Sequence, residues 1–189
     1  MTVFEKKAAL RPACLAVRRN IPPAVRAAAD AALCRHAAAL PAFAEADLLL
    51  LYAPVRGEPS LLPLLARAKE AGIPVAFPRC MGVQMHFHPV SDPNEMLPDR
   101  FGIPAPAADA PIVKATSKTL CILPGLAAGR DGTRLGYGGG FYDRFLATFA
   151  GITVFPIYEC LLYPTLPTEE TDRRVDHLIT EKGEIPLHV

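Results

Sequence analysis

The sequence predicts an α/β protein: a single-domain layered fold with a mostly parallel central sheet flanked by helices. Three observations carry that expectation. Short apolar runs at 47–53, 73–77, 120–123 and 152–158 have strand length and little polar alternation, the pattern of strands buried on both faces. Turns and stretches with helical spacing separate them. The 189 residues contain no repeat and no convincing linker, so 1–189 reads as one domain, long enough to bury a core without disulfides or a structural metal.

Taken in order, Thr2-Val3-Phe4-Glu5 has the capping-box pattern, and Leu10, Cys14, Leu15 and Val17 follow at roughly helical spacing. Pro12, inside that first helix, marks a bend or a start. Asn20-Ile21-Pro22-Pro23 punctuates the chain, and the alanine-rich stretch 24–39 reads as a second helix with Arg26, Asp30 and Arg35 outward. Ser60 is placed to cap a helix running through Leu64, Leu65 and Ala68 to a stop at Gly72, making 47–77 a strand-helix-strand unit. Met85-His86-Phe87-His88 alternates, as a strand with one wet face does. The proline-rich stretch 92–111 reads as an extended loop over the body, and 141–149 as a helix with Phe141, Phe145 and Phe149 on one face.

Composition excludes several classes of function. With 20 basic against 19 acidic side chains, nothing suggests a polyanion-binding surface, and nucleic acid is not an expected partner. The five cysteines are odd in number, widely spread and without a C-x-x-C pair, which fits reduced thiols. Glu5, Lys6, Lys7, Arg11, Arg18 and Arg19 interrupt any signal-peptide core, and the longest apolar run, 48–55, is too short to cross a bilayer. A soluble, cytoplasmic protein with no membrane partner is the expectation.

The least ordinary stretch is 134–144, Arg-Leu-Gly-Tyr-Gly-Gly-Gly-Phe-Tyr-Asp-Arg. It follows the strand at 120–123, whose carboxyl end is closed by Pro124-Gly125, and in open α/β sheets that end is where ligands bind. Glycines entering a helix let the backbone approach an anion and point N–H groups at it, while Arg134 and Arg144 add positive charge. The dinucleotide fingerprint fails at Phe141, and no P-loop Gly-Lys-Ser/Thr triplet exists. A purely structural glycine turn stands beside the phosphate-cradle reading.

With its surroundings, from Leu123-Pro124-Gly125-Leu126-Ala127 through Arg144, this stretch closely resembles the signature of the 5-formyltetrahydrofolate cyclo-ligase family. Lys7-Ala8-Ala9-Leu10-Arg11 resembles the family's K-x-x-L-R, and Gly57-Glu58 sits where its G-E-V-D-T occurs. Phe77-Pro78-Arg79, Met85-His86-Phe87, Phe101-Gly102-Ile103-Pro104 and Asp172-Arg173-Arg174-Val175-Asp176 are similar to its later elements, in the family's order. The resemblance implies ATP- and Mg²⁺-dependent conversion of 5-formyltetrahydrofolate into 5,10-methenyltetrahydrofolate, with ADP and phosphate released. It further implies that Lys7, Arg11 and Arg134 meet ATP phosphates, with Arg134 clamping the transferring group. Leu135, Gly136, Tyr137, Gly138, Gly139, Gly140, Phe141 and Tyr142 would form the nucleotide loop, and Glu58 the folate contact. Tyr137, Phe141 and Tyr142 would lie between folate and nucleotide; Asp143 and Asp172 would hold Mg²⁺. A monomer with a folate and ATP as its partners is expected.

The chain departs from the family at Ala105, Ala128-Gly129, Leu161, Thr171 and Pro59-Ser60-Leu61, where polar or bulkier residues are usual. A diverged ATP-dependent kinase or ligase on another small molecule, or a non-enzymatic phosphometabolite sensor, is therefore the alternative. Without the resemblance, Lys7 and Arg11 read as a solvated helix face, Glu58 as a cap, and Asp172 and Asp176 as surface charge. His86 and His88 lack a third ligand.

Overall fold

The structure, a computed structural model, describes residues 1–169 and 172–187. Helix α1 (Val3–Arg19) begins with the expected capping box: the Thr2 hydroxyl accepts from the Glu5 N–H at 3.2 Å, and the Glu5 carboxylate from the Thr2 N–H at 2.8 Å. Pro12 lies inside α1 without ending it. Helix α2 (Pro23–Ala39) starts with proline in its first turn, where the missing N–H removes no helical bond. Of its three polar residues expected outward, only Arg35 is exposed. Arg26 donates to the Arg18 carbonyl at 3.2 Å, and Asp30 accepts from the Tyr158 hydroxyl at 2.7 Å. An apolar face built of alanines brings neighbouring elements close, so the polar groups beside it are covered and take internal partners.

After the short α3 (Pro41–Ala44) come β1 (Leu48–Leu50), α4 (Leu64–Glu70) and the antiparallel hairpin of β2 (Val75–Met81) and β3 (Gln84–Pro89). Ser60 does not cap α4, which begins only after Pro63; the prolines at 59 and 63 keep that segment out of the helix. Gly72, at φ +71°, ends it as expected. The 92–111 loop holds a 3-10 turn (Pro93–Glu95) and a small hairpin of β4 (Leu97–Pro98) and β5 (Pro104–Ala105). There follow β6 (Thr119–Ile122), the hairpin of β7 (Ala127–Gly129) and β8 (Arg134–Leu135), α5 (Phe141–Leu146) and β9 (Ile152–Pro156). Helix α5 is shorter than the 141–149 expected, yet the three phenylalanines keep to the packed side, with Phe145 5.1 Å from Phe149 and 5.0 Å from Phe87 between ring centroids. The chain closes with β10 (Leu162–Tyr163), β11 (His177–Thr180) and β12 (Gly183–Ile185).

The main sheet has the order β12-β11-β9-β6-β1-β2-β3. From β11 to β2 it is parallel throughout, and β12 and β3 close its edges antiparallel. Leu49, Leu120, Ile122 and Phe155 are fully buried along it, which is why these runs lack polar alternation. Helix α2 covers β9, β11 and β12, and α5 packs on β3. From β1 the chain turns to β2 on one side; from β6 it turns to β9 on the other. The neighbouring carboxyl ends of β1 and β6 therefore flank the point where the winding reverses, the place where such sheets bind ligands. No described helix is long and apolar enough to cross a membrane.

His88, expected on a wet face, is buried with its Nδ1 2.8 Å from the Ala110 carbonyl, because the loop after β5 folds back over β3. Asp176 is a latch between strands. Its carboxylate accepts from both the N–H and the hydroxyl of Thr153, at 2.8 and 2.7 Å, while its own N–H donates to that hydroxyl at 2.9 Å. Asp176→Ala should lower unfolding free energy by about 1–2 kcal/mol, the worth of hydrogen bonds to a partly exposed carboxylate; denaturant titration checks it, and an unchanged midpoint would remove the latch.

Candidate functional site

The carboxyl ends of β1, β2 and β6 open into a cavity of about 480 Å³, large enough for a small organic ligand. Tyr52, Ala53, Arg56 and Glu58 enter it from the segment after β1, Pro78 and Cys80 from β2, and Pro124 from the turn after β6. Phe101 and Ile103 of the 92–111 loop form one wall. Arg134, Gly136 to Asp143 and the start of α5 form the opposite side. Thus Glu58, Arg134, Gly136, Tyr137, Gly138, Gly139, Gly140, Phe141, Tyr142 and Asp143, singled out from the sequence, share one cavity.

The turn after β1 aims Glu58. Arg56 and Gly57 both take positive φ, +52° and +74°, so the chain reverses tightly and the Glu58 N–H reaches the Val55 carbonyl at 3.0 Å. A side chain at Gly57 would strain that backbone and press on the Arg26 guanidinium 3.3 Å away. Glu58 is 4% exposed; one carboxylate oxygen accepts from the Val55 N–H at 2.9 Å and the other has no partner. Burial pushes its carboxyl above the ordinary glutamate value, opposed by the Val55 N–H, the nearby Tyr137 hydroxyl and the charges of Arg18 and Arg56. The buried Tyr142 hydroxyl also lacks a partner. Two orphaned polar groups lining one cavity are what a ligand with complementary polar atoms would complete.

The glycine loop is delivered by the β7–β8 hairpin, whose turn is locked by Asp131 accepting from the Thr133 hydroxyl at 2.7 Å. Arginines turn its carbonyls away from the cavity: Arg11 Nε donates to Gly136 O at 2.9 Å, and Arg144 Nη2 to Gly139 O at 3.0 Å. The N–H groups of Gly138, Gly139 and Gly140 donate to no described backbone or side-chain acceptor. Gly138 takes φ +95°, and a Cβ there would lie 3.2 Å from the Arg11 guanidinium carbon. Two carbonyls tied back and three amides without a protein acceptor are what binding of an anion would require.

Two of the cations near the loop are paired with carboxylates. Arg134, its side chain 5% exposed, donates to the Pro124 carbonyl at 3.0 Å and to the Asp143 carboxylate at 2.6 Å. Lys7 is buried, not solvated; its ammonium lies 2.5 Å from Asp172 and 3.5 Å from Glu169. Lys7, Arg11 and Asp172 do not line the cavity, and of the three Arg11 contacts the loop, at Gly136 O. Leu135 is buried in β8, and only its carbonyl, accepting from Leu126 N–H, has a polar role.

No group of three His, Cys, Asp or Glu side chains among the described residues is arranged to hold a metal. A hard cation that takes most of its oxygens from phosphate and water needs only one or two protein carboxylates. Asp143 fits that role: it lines the cavity beside the loop, half exposed, with one oxygen engaged by Arg134. Asp172 has one oxygen engaged, by Lys7 and by the Glu169 N–H.

The sequence reading missed Arg18. Lys7, Arg11, Cys14 and Arg18 fall at i, i+4, i+7 and i+11 and form the covered stripe of α1. The reading followed the apolar periodicity instead, although Val17, one of its residues, is exposed. Cations at core-face spacing were the available signal. Arg56, 5.7 Å from the Tyr137 ring, carried none.

A family model described as the 5-formyltetrahydrofolate cyclo-ligase family matches residues 3–181. A 5-formyltetrahydrofolate cyclo-ligase of Mycolicibacterium smegmatis is 30% identical over 184 residues, covering 93% of this chain and 94% of the relative. That of Escherichia coli K12 is 33% identical over 134 residues, 66% of this chain and 72% of its own length. The NMR structure of Aquifex aeolicus 5,10-methenyltetrahydrofolate synthetase superposes with a TM-score of 0.84 at 29% identity, over 97% of this chain and 93% of the other. A synthetase structure from Mycoplasma pneumoniae, 18% identical, shares the fold with a TM-score of 0.76 over 93% and 98%.

Glu58 gives a test of the cavity that needs no ligand. A carboxyl whose folded value lies above its unfolded one holds its proton more tightly in the folded protein, so its contribution to stability falls as pH rises through that interval. Between pH 4.5, the ordinary glutamate value, and neutrality, wild type should lose more thermal stability than Glu58→Gln. Parallel melting curves across that range would mean that Glu58 is not a buried carboxylate.

Proposed function

The chain belongs to the 5-formyltetrahydrofolate cyclo-ligase family, and from that premise we propose that it uses ATP and Mg²⁺ to close 5-formyltetrahydrofolate to 5,10-methenyltetrahydrofolate. The observation that carries the reading is the union, in one cavity, of an unpartnered buried carboxylate oxygen on Glu58 and a glycine loop with free amides. A pterin ring offers N–H donors to the first. A nucleotide triphosphate offers oxygens to the second.

In the proposed reaction the formyl oxygen attacks the γ-phosphorus and ADP leaves. N10 then attacks the activated formyl carbon, and as the ring closes N10 gives up its proton and the phosphate departs as hydrogen phosphate. The chain's task is positioning and charge neutralisation. Glu58 accepts from the pterin, while Tyr137, Phe141 and Tyr142 shape the space between the ring and the phosphates. The amides of Gly138 to Gly140 and the Arg134 guanidinium stabilise charge on the transferring phosphoryl group. Lys7 and Arg11 meet the remaining phosphates from α1, Lys7 exchanging Asp172 for phosphate. Asp143, with Asp172, would hold Mg²⁺, which when bound supplies further neutralisation of phosphate charge.

Of the positions that depart from the family pattern, Ala105, Ala128 and Leu161 are buried and line no part of the cavity. Their apolar side chains fill core, which favours the folate reading over a changed substrate. Thr171 lies outside the described residues. The reading takes 1–189 as one domain, a cytoplasmic monomer.

Mixing purified protein with 5-formyltetrahydrofolate, ATP and Mg²⁺ should raise the methenyl absorbance band, and omitting ATP should abolish it. No band from folded, ATP-binding protein would overturn the substrate. Arg134→Ala should lower kcat on the order of a hundredfold, as loss of a transition-state donor does. An unchanged kcat would take Arg134 out of the mechanism.

A further inference from the structure

Arg18 stands in the last turn of α1 and is wholly buried. No ion pair among the described residues includes it. A buried cation without a bound carboxylate is costly unless its N–H groups are well used. Here Nη1 donates to the Tyr137 hydroxyl at 2.9 Å and Nη2 to the Gly125 carbonyl, while Nε has no partner.

Those contacts bind different walls of the cavity. Gly125 belongs to the turn after β6, and Tyr137 to the glycine loop. The turn that aims Glu58 passes beside the same side chain: a Cβ added at Gly57 would lie 3.4 Å from Arg18 Cγ. The Arg18 carbonyl accepts from Arg26, so α2 is tied to this point as well. Arg18 itself does not line the cavity.

We propose that Arg18 is a positioning residue: through Tyr137 and Gly125 it fixes the glycine loop against the Glu58 turn before any ligand arrives. Lysine at this position keeps the charge but cannot span both acceptors with the planar fork of a guanidinium. The loop should then open more often while the sheet is untouched.

The first test uses the free protein and is independent of the proposed reaction. In Arg18→Lys, amide hydrogen exchange at Leu126 and Arg144, whose N–H groups donate to the Leu135 and Gly140 carbonyls at the two ends of the loop, should accelerate at least about tenfold, the loss expected of one hydrogen bond from a charged donor, with β6 and β9 amides unchanged. Tyr137→Phe, which removes one acceptor and leaves Arg18 in place, should accelerate the same amides and serves if the lysine variant does not fold. The two changes together should give less than the product of the single effects. Uniform acceleration over the whole chain, unchanged loop exchange in both variants, or fully multiplicative effects would each overturn the proposal.

The second test rests on the proposed function. In Arg18→Lys the KM for ATP, whose phosphates the loop would hold, should rise about tenfold, and that for 5-formyltetrahydrofolate should rise with it. An ATP KM left unchanged would count against positioning of the loop. Wild-type protein with no cyclo-ligase activity would sink the functional reading, while the exchange experiment would still decide the role of Arg18.

Discussion

The covered stripe of α1 carries three cations, and a buried cation must find oxygen. Lys7 finds it in the late segment at Asp172, Arg11 in the glycine loop at Gly136, and Arg18 in the turn after β6 and at Tyr137. The loops at the carboxyl ends of the strands are thereby drawn to one helix. An apolar stripe would have packed α1 without direction; donors of fixed geometry hold each loop at a defined place. Two of those segments, the turn after β6 and the glycine loop, contribute to the cavity wall.

A second constraint acts on the glycine loop. The N–H groups of Gly138, Gly139 and Gly140 have no described protein acceptor, while two of the loop's carbonyls are held by arginines. Those arginines are Arg11 and Arg144, and the missing side chain at Gly138 leaves room for the guanidinium of Arg11. The two arginines bracketing the loop in sequence thus play different parts. Arg134 is nearly enclosed at the cavity, whereas Arg144 is exposed, holds Gly139 O and lies 5.0 Å from the Phe141 ring. The conformation of the loop is as much a matter of where carbonyls go as of where glycines stand.

The site also carries groups that stability alone would not select. Glu58 and Tyr142 each bury an oxygen without a partner, and Arg56 adopts a backbone conformation that residues with a Cβ rarely take. These residues line one cavity, against a sheet whose strands are packed by leucine, isoleucine and phenylalanine. Local frustration is tolerated where a rigid core surrounds it.

The sequence by itself determined the class of fold. Apolar runs without alternation have to be buried on both faces, and the capping box at Thr2, the alanine-rich α2 and the stop at Gly72 depend on neighbours in the chain. It also marked the glycine loop, because four glycines in five positions have few structural uses. The β7–β8 and β11–β12 hairpins escaped it: two to four residues are too few to show a period, and their partners supply the pairing. What only the tertiary structure decided is which polar groups have company. Arg26 and Asp30 turned inward, Asp176 latched two strands, Lys7 paired with Asp172 across the chain, and Arg18 gathered the walls of the site. Periodicity reports which face of an element is apolar. Whether a charge is solvated or satisfied inside depends on oxygens that residues far away in sequence bring to it.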